Sequence, residues 1–437
     1  MDPLRHCLAA DANIRGEAIS SAFVMSALNY LYTRCQCFTL LPAQTDSNQS
    51  CLMPQKDTDQ FNINIYNPGR TNGTIYTSSL RVNFHEHDME TLTVTALDAA
   101  QWKTPSSFIH RGSTPPGPCE KEYIPLTVDE LMRRLSEEAP NLKIVSYPSS
   151  GINYVDYTAR QLDTFAFRVA RQYAITMPPR SSSSQVATVV GLLGPSNFDY
   201  LMTILALTKL GHTVLFLSTR ISAVAYESLL KKTQAKHLLI DESFRNLAET
   251  LSPNLPHLRI AGIAKRAVYE GEGVVRTTEI DTCLTHQLDP QAEKNQLAWI
   301  IHSSGSTGLP KPIFQTQRAA LGNYRNNLNM KGFVTLPLYH AHGISSLFRS
   351  IQSRKSIHLY NASLPLTHDY LLKTLQQNDF EIFYGVPYAL KILAESSEGL
   401  EALAKMKVVM FGGSACPDAL GHRLVDKDVN LVSHYGT

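Results

Sequence analysis

Between Trp299 and Gln315 the chain reads WIIHSSGSTGLPKPIFQ, and its potential chemistry is concentrated in Ser303, Ser304, Gly305, Ser306, Thr307, Gly308 and Lys311. Four hydroxyls and two glycines, with no bulky side chain among them, make a loop whose backbone N–H groups can turn inward. The hydroxyls add further donors, and Lys311 adds a cation just beyond them. Such a loop suits an anion with several oxygens, a polyphosphate above all.

Spacing excludes two related loops. A Walker loop has four residues between its glycines and a hydroxyl after its lysine. Here Gly305 and Gly308 are closer together, and Pro312 follows Lys311. A serine-hydrolase elbow needs glycine, any residue, serine, any residue, glycine, and Gly305-Ser306-Thr307-Gly308 is one residue short. Two other readings stay open on the residues alone. One is an amidase with a serine-serine-lysine arrangement in a comparable Gly/Ser-rich loop. The other is a solvated linker of small residues, which the apolar strand before the loop and the strand-like segment after it argue against.

The run SSGSTGLPK, Ser303 to Lys311, resembles the phosphate-binding signature of the adenylate-forming superfamily: acyl-CoA synthetases, luciferases and the adenylation domains of nonribosomal peptide synthetases. Pro312 stands where many members have glycine. With the preceding His302, the Lys-Pro-Ile run is most similar to the fungal synthetase-like and carboxylic-acid-reductase-like branch. Five further segments follow in the family's order. Asn153-Tyr154-Val155-Asp156-Tyr157 and Leu207-Thr208-Lys209-Leu210-Gly211-His212 resemble its first two core motifs, both scaffold. Leu336-Pro337-Leu338-Tyr339-His340-Ala341-His342-Gly343 resembles the motif lining the acyl pocket, with His340 at the pocket histidine's position. Gly412-Gly413-Ser414-Ala415-Cys416-Pro417 resembles the turn that meets adenine and the carboxylate, and Ser433-His434-Tyr435-Gly436-Thr437 the motif whose tyrosine stacks on adenine.

Taken singly, these matches are weaker. His340 or His342 alone reads equally well as a structural histidine, and only the position after Pro337 favours His340. Gly412-Gly413 also reads as an ordinary tight turn. The ordered set carries the resemblance. It implies the large N-terminal subdomain of the adenylate-forming fold, an α/β architecture of stacked, mostly parallel sheets flanked by helices. It implies ATP and Mg²⁺, a small-molecule carboxylic acid, and a phosphopantetheine carrier protein or coenzyme A as acyl acceptor. Amino-acid-activating members generally carry an aspartate in the acyl-pocket motif, and no acidic residue lies between Leu336 and Ser346, so an acid without an α-amino group is expected.

The chemistry explains the residue types. A carboxylate attacking the α-phosphorus of ATP brings anions together, so donors and a cation must offset the triphosphate. In the family the magnesium glutamate, the ribose aspartate, the hinge and the small C-terminal domain with its transition-state lysine lie beyond the position of Thr437. The expectation is therefore an incomplete adenylation core, with no catalytic residue or metal ligand assigned within it. The alternative is an inactive nucleotide- or acyl-binding remnant.

The 437 residues suffice for two or three domains, and a 43% apolar content is that of an ordinary globular chain. A net charge of +2 with both signs interleaved gives no footprint for nucleic acid. No apolar run is long enough to span a bilayer. The start, MDPLRHCLAADANIRGE, lacks the pattern of a secretory leader, so a cytoplasmic location is expected. Seven cysteines show no zinc-like pairing.

Two regions are expected: residues 1–112, of no recognisable fold, and an adenylation core over 113–437. In the first, Ala18 to Tyr32 suits a helix, while Thr74 to Phe84 and Thr91 to Leu97 suit strands. The RGSTPPGPC run at Arg111 to Cys119 reads as a linker. From Pro125 on, helices (the amphipathic Val128 to Glu138 and Thr158 to Tyr173, then Asp199 to Leu210) alternate with strands (the apolar Ala187 to Leu193, then His212 to Leu217 and His237 to Ile240). After the loop the rhythm continues through strands Phe333 to Leu336, Ser356 to Tyr360, Phe380 to Tyr384 and Lys407 to Phe411. Such alternation implies parallel sheets covered by helices.

Overall fold

The computed structural model describes residues 124–271, 284, 288–303 and 308–434, together with the backbone of three strands before residue 97. The chain divides into two units, residues 1–120 and 121–437. In the first, β1 (Thr58–Asn67), β2 (Tyr76–His85) and β3 (Thr93–Ala96) form an antiparallel sheet in the order β1-β2-β3. Strands β2 and β3 match the expected strands, whereas β1 is additional. Its Phe61, Ile63 and Ile65 alternate with asparagines, which hide the period of two in a polar composition. The expected helix at Ala18 to Tyr32 and the linker at Arg111 to Cys119 lie outside the described residues.

The second unit holds two sheets. Strands β4 (Lys143–Ser150) and β5 (Asn153–Thr158) form a hairpin, and β6 (Val189–Leu193), β7 (Thr213–Leu217), β8 (His237–Ile240) and β9 (Arg259–Gly262) follow with helices between them. Then come β10 (Leu297–His302), β11 (Pro312–Thr316), β12 (Gly332–Val334), β13 (Ile357–Leu359), β14 (Ile382–Gly385), β15 (Val408–Gly412) and β16 (Leu431–His434). One sheet has the order β11-β10-β7-β6-β8-β9, the other β16-β15-β14-β12-β13-β4-β5. Both are parallel except at one end: β10 with β11 and β4 with β5 are antiparallel. Crossover helices must cover parallel strands, which is why their sequences read as continuous apolar runs.

A single buried cluster joins residues of both sheets, from Phe216 and Trp299 to Val334, Phe348 and Met410. Trp299 is fully buried, 5.4 Å from the Phe216 ring and 5.8 Å from that of Phe348, and its indole N–H donates to the Tyr324 hydroxyl at 2.7 Å. That bond satisfies the one polar atom of the largest core side chain.

Helix ends are set locally. Thr158 and Gln161 make a capping box at the start of the helix Ala159–Ala174, and the Asn197 side chain caps Phe198–Lys209 by accepting from Tyr200 N–H at 2.9 Å. Lys209 ends that helix with a side chain only 9% exposed, held by Asp163 at 2.5 Å and Asp129 at 3.4 Å. Burial would lower its pKa, but the two carboxylates outweigh that and raise it. Lys209 thus ties three helices together, as the scaffold reading of its segment expects. Strand β12 stops at Val334 rather than Leu336, because Pro337 lacks an N–H and restricts the residue before it.

Candidate active site

The Gly/Ser loop joins two antiparallel neighbours, with His302 of β10 opposite Pro312 of β11. Its neck is tied twice between the same residues. Ser303 N–H donates to the Lys311 carbonyl at 3.0 Å, and Lys311 N–H donates to Ser303 Oγ at 3.1 Å. Gly308 has φ +149, with nothing within 4 Å of where a Cβ would stand. L residues rarely adopt that conformation, so the glycine serves the turn rather than packing. Lys311 is exposed, and its ammonium makes no bond among the described residues. Ser304, Gly305, Ser306 and Thr307 lie outside the described residues.

Behind this neck the two sheets meet at the C-terminal ends of their strands. His302 Nε2 accepts from Ser218 N–H at 3.1 Å, at the end of β7, and its Nδ1–H donates to the Ser303 carbonyl at 3.0 Å. The two bonds fix one neutral tautomer, and burial holds the ring's pKa below its usual value. Thr219 and Tyr339 share a hydroxyl hydrogen bond of 3.0 Å, and Leu338 N–H donates to Ser196 Oγ at 2.8 Å. Residues 336–340, beyond β12 of one sheet, are thereby fastened to the ends of β6 and β7 of the other. Ligands of open parallel sheets bind in such a crevice outside the carboxyl ends of the strands.

His340 and His342 open the helix Ala341–Gln352 at the crevice. His340 is its N-cap residue and is reached by solvent. Surrounding protein, then the nearby His302 and Arg220, lower its pKa to about 4. His340 is therefore neutral at pH 7. The His342 ring lies 4.5 Å from the His434 ring and 6.1 Å, edge-on, from Tyr384. Burial pushes the pKa of His342 down to about 3 and that of His434 to about 4, with Arg349 reinforcing both. Both ring nitrogens of His342 are buried without a hydrogen-bond partner among the described residues.

Gly412 closes this arrangement at the end of β15. A Cβ there would stand 2.6 Å from the His434 carbonyl oxygen and 2.9 Å from His342 Nδ1. Gly413 follows at φ +85, turning the chain so that Ser414 and Ala415 are exposed. Tyr435, Gly436 and Thr437 lie outside the described residues.

The structure therefore brings Ser303, Lys311, His302 and His340 to one side of the crevice and His342, Gly412, Gly413 and His434 to the other. Sequence reasoning did not single out Ser218, Tyr384 or Arg349. The available signal for Arg349 is its spacing of seven from His342, two helical turns along one face. No group of three or more His, Cys, Asp or Glu side chains among the described residues could hold a metal ion. No helix among them is long and apolar enough to cross a membrane.

Comparison with known proteins agrees with this geometry. The chain is 27% identical over 269 residues to a carboxylic acid reductase of Neurospora crassa, covering 56% of this chain and 24% of that one. It is 26% identical over 260 residues to an adenylate-forming reductase of Aspergillus terreus, covering 57% and 24%. The chain thus spans about a quarter of the length of these curated relatives. Its fold is shared with the N-terminal domain of FACL13 from Mycobacterium tuberculosis, at TM-score 0.56 and 16% identity, covering 71% of this chain and 76% of that domain. The large N-terminal subdomain of the adenylate-forming fold, expected from the motifs, is the fold observed. The sequence model of the AMP-binding enzyme matches residues 147–437, so it takes in both parallel sheets and every segment of the crevice, and the chain belongs to that family.

Proposed function

We propose that the chain activates a carboxylic acid with ATP to give an acyl-adenylate, and that residues 113–437 form the adenylation core. The observation that carries this reading is the doubly tied neck of the Gly/Ser loop beside His302, set across the crevice from Gly412 and His342. Residues at that neck fit a polyphosphate. The backbone is held in a turn, and the Lys311 ammonium stays free for an anion.

ATP supplies the electrophilic phosphorus and the pyrophosphate leaving group. The chain's residues bind and orient. Lys311 and the loop donors offset phosphate charge, the turn Gly412-Gly413-Ser414-Ala415 gives adenine close access to backbone, and Tyr435 offers a stacking face. His340, neutral at the crevice, orients the acid by a hydrogen bond rather than by charge. The described residues provide no cage for Mg²⁺, and no step is assigned to it. The amidase alternative is less well supported, because Ser303 Oγ is engaged in tying the loop neck and no side-chain base is bonded to it. The activated acyl group would pass to a phosphopantetheine carrier or to coenzyme A.

The test is acid-dependent exchange of labelled pyrophosphate into ATP, together with trapping of the adenylate by hydroxylamine, over a panel of aryl, keto and fatty acids. Exchange with at least one acid is expected. ATP binding without exchange for any acid would favour a binding remnant over an enzyme, and absence of ATP binding would refute both.

A further inference from the structure

Backbone pairing between β10 and β7 runs from Trp299 with Val214 to Ile300 with Leu215. Just beyond it the link between the two strands passes to a side chain. His302, the last residue of β10 and 7% exposed, accepts from Ser218 N–H through Nε2 at 3.1 Å. That nitrogen therefore carries no proton, and Nδ1–H donates to the Ser303 carbonyl at 3.0 Å. Ser303 is the first residue of the Gly/Ser loop. Its N–H donates to the Lys311 carbonyl at 3.0 Å and its Oγ accepts from Lys311 N–H at 3.1 Å, so its three polar groups are all engaged. The other anchor is equally fixed. Ser218 is 5% exposed, its carbonyl accepts from the Tyr226 hydroxyl at 2.7 Å, and its Oγ accepts from Arg220 N–H at 3.3 Å. The next residue, Thr219, holds Tyr339 at 3.0 Å.

We infer that His302 is a positioning residue for the Gly/Ser loop, setting it for the polyphosphate of ATP without touching the nucleotide. The inference rests on the adenylation reading and deepens it. The ring does two things that backbone pairing no longer does at this point. It fixes the first loop residue against the end of β7, where Thr219 fastens the acyl-pocket segment, so that polyphosphate and acid are registered against one support. It also occupies the Ser303 carbonyl, an acceptor that a polyphosphate would repel. Both tasks need the neutral ring, since an imidazolium has two donors and no acceptor for Ser218 N–H. A misplacement of about 1 Å at reacting groups can cost roughly 100-fold in rate, so a pin at the loop's stem bears on the chemistry. A histidine with only a structural role would cost stability on removal and leave the preference between nucleotides as it was.

Calorimetry on the full chain with MgATP and with AMP tests this, because only ATP offers the loop a polyphosphate. The wild-type chain is expected to prefer MgATP. His302→Phe, similar in size but unable to accept or donate, should cut that preference about tenfold or more while AMP affinity stays within about twofold. His302→Gln, whose amide offers an acceptor near the position of Nε2, should keep most of the preference. Thermal melts of the three proteins set a titration temperature at which all are folded. An unchanged preference in His302→Phe, or affinities for both nucleotides that fall together, overturns the inference and leaves the adenylation reading standing. So does a His302→Gln variant that prefers MgATP no more than His302→Phe does. A wild-type chain that binds neither nucleotide overturns the adenylation reading, and the inference with it.

Discussion

The imidazoles of His342 and His434 stand 4.5 Å apart, one in the opening turn of a helix and the other at the end of the edge strand β16, with Gly412 beneath them. Neither ring can take a proton cheaply. Burial is the first cause for both, and the Arg349 guanidinium adds to it. Two neutral imidazoles at van der Waals distance are compatible, whereas two imidazolium rings there would not be.

The first prediction concerns pH. His342, His434, His212 and His358 have pKa values lowered to about 3 or 4, with burial the largest cause in each. Unfolded histidines titrate near 6.5. Below that pH the unfolded chain binds more protons than the folded one, so these groups stabilise the fold fully above about 6.5 and lose that contribution as pH falls toward 4. Thermal melts should therefore fall steadily between pH 6.5 and 4, before most carboxylates protonate. His358 packs edge-on against Phe380 at 4.8 Å, away from the crevice. His358→Phe should flatten part of the decline. A melting temperature constant from pH 7 to 4.5 would contradict the assignment.

Much of this crevice was legible because its segments are contiguous. Ser303 to Lys311 and Leu336 to Gly343 each carry their chemistry in one short run. The strands that hold them are buried on both faces and so read as apolar runs, Leu297–His302 above all. What escaped has a physical reason. Strand β1 is written in asparagine and glutamine, and β16 is an edge strand only half buried, so neither shows an apolar run. Arg349 was not singled out, because nothing in a linear pattern shows that its Nε donates to the Asn323 carbonyl of the neighbouring helix. The ties Ser218 to His302 and Thr219 to Tyr339 join residues far apart in sequence and are products of sheet order alone.

The loop makes a second prediction. Lys311→Ala combined with Ser306→Ala should weaken ATP binding about tenfold or more in calorimetry, since a cation and a donor are lost together. Ser303→Ala removes the acceptor that ties Lys311 N–H and should weaken binding less, by loosening the neck. Unchanged ATP affinity in the double variant would remove the loop from the phosphate site.

Gly412 gives a third. Alanine there would place a methyl group 2.6 Å from a backbone carbonyl that a paired strand cannot move. We expect a cost of roughly 1–3 kcal/mol and a loss of acid binding. Gly421, within the helix Asp418–Val425, is the control: nothing lies within 4 Å of its missing Cβ, and Gly421→Ala should stabilise by about 0.5–1 kcal/mol. Urea denaturation of the two variants separates them. Equal and small effects would mean that the contact between β15 and His434 is not tight.

A fourth concerns the scaffold. Arg180 and Glu293, 4% and 5% exposed, pair through two bonds of 2.7 and 3.0 Å. Glu293→Ala would strand a buried guanidinium and should cost about 3–5 kcal/mol. The double variant Arg180→Met with Glu293→Leu should recover most of it. If Glu293→Ala alone is neutral in urea melts, the pair is wetter than its burial indicates.

The last prediction is that the acid carries no α-ammonium group. The segment from Leu336 to Ser346 contains no carboxylate, and the side chains it brings to the crevice are Tyr339, His340 and His342. His340 and His342 are held neutral, and the positive Arg349 reinforces this for His342. An ammonium placed there would have no carboxylate of that segment to pair with and would feel a like charge. Removing a charge from water without a partner costs several kcal/mol, and repulsion by a buried cation adds to that. Replacing the ammonium by a keto group or hydrogen removes the penalty and leaves an acceptor or an apolar contact that neutral imidazoles tolerate. Pyrophosphate exchange should therefore run at least about tenfold faster with phenylpyruvate or 3-phenylpropanoate than with phenylalanine, and the same order should hold for 2-oxoglutarate or glutarate against glutamate. The comparison is internal to each trio, so poor recognition of the aromatic or acidic end affects its members alike. Faster exchange with the amino acid in either trio would show that a carboxylate reaches the α-carbon in the working enzyme, and that the absence of one between Leu336 and Ser346 does not define the pocket.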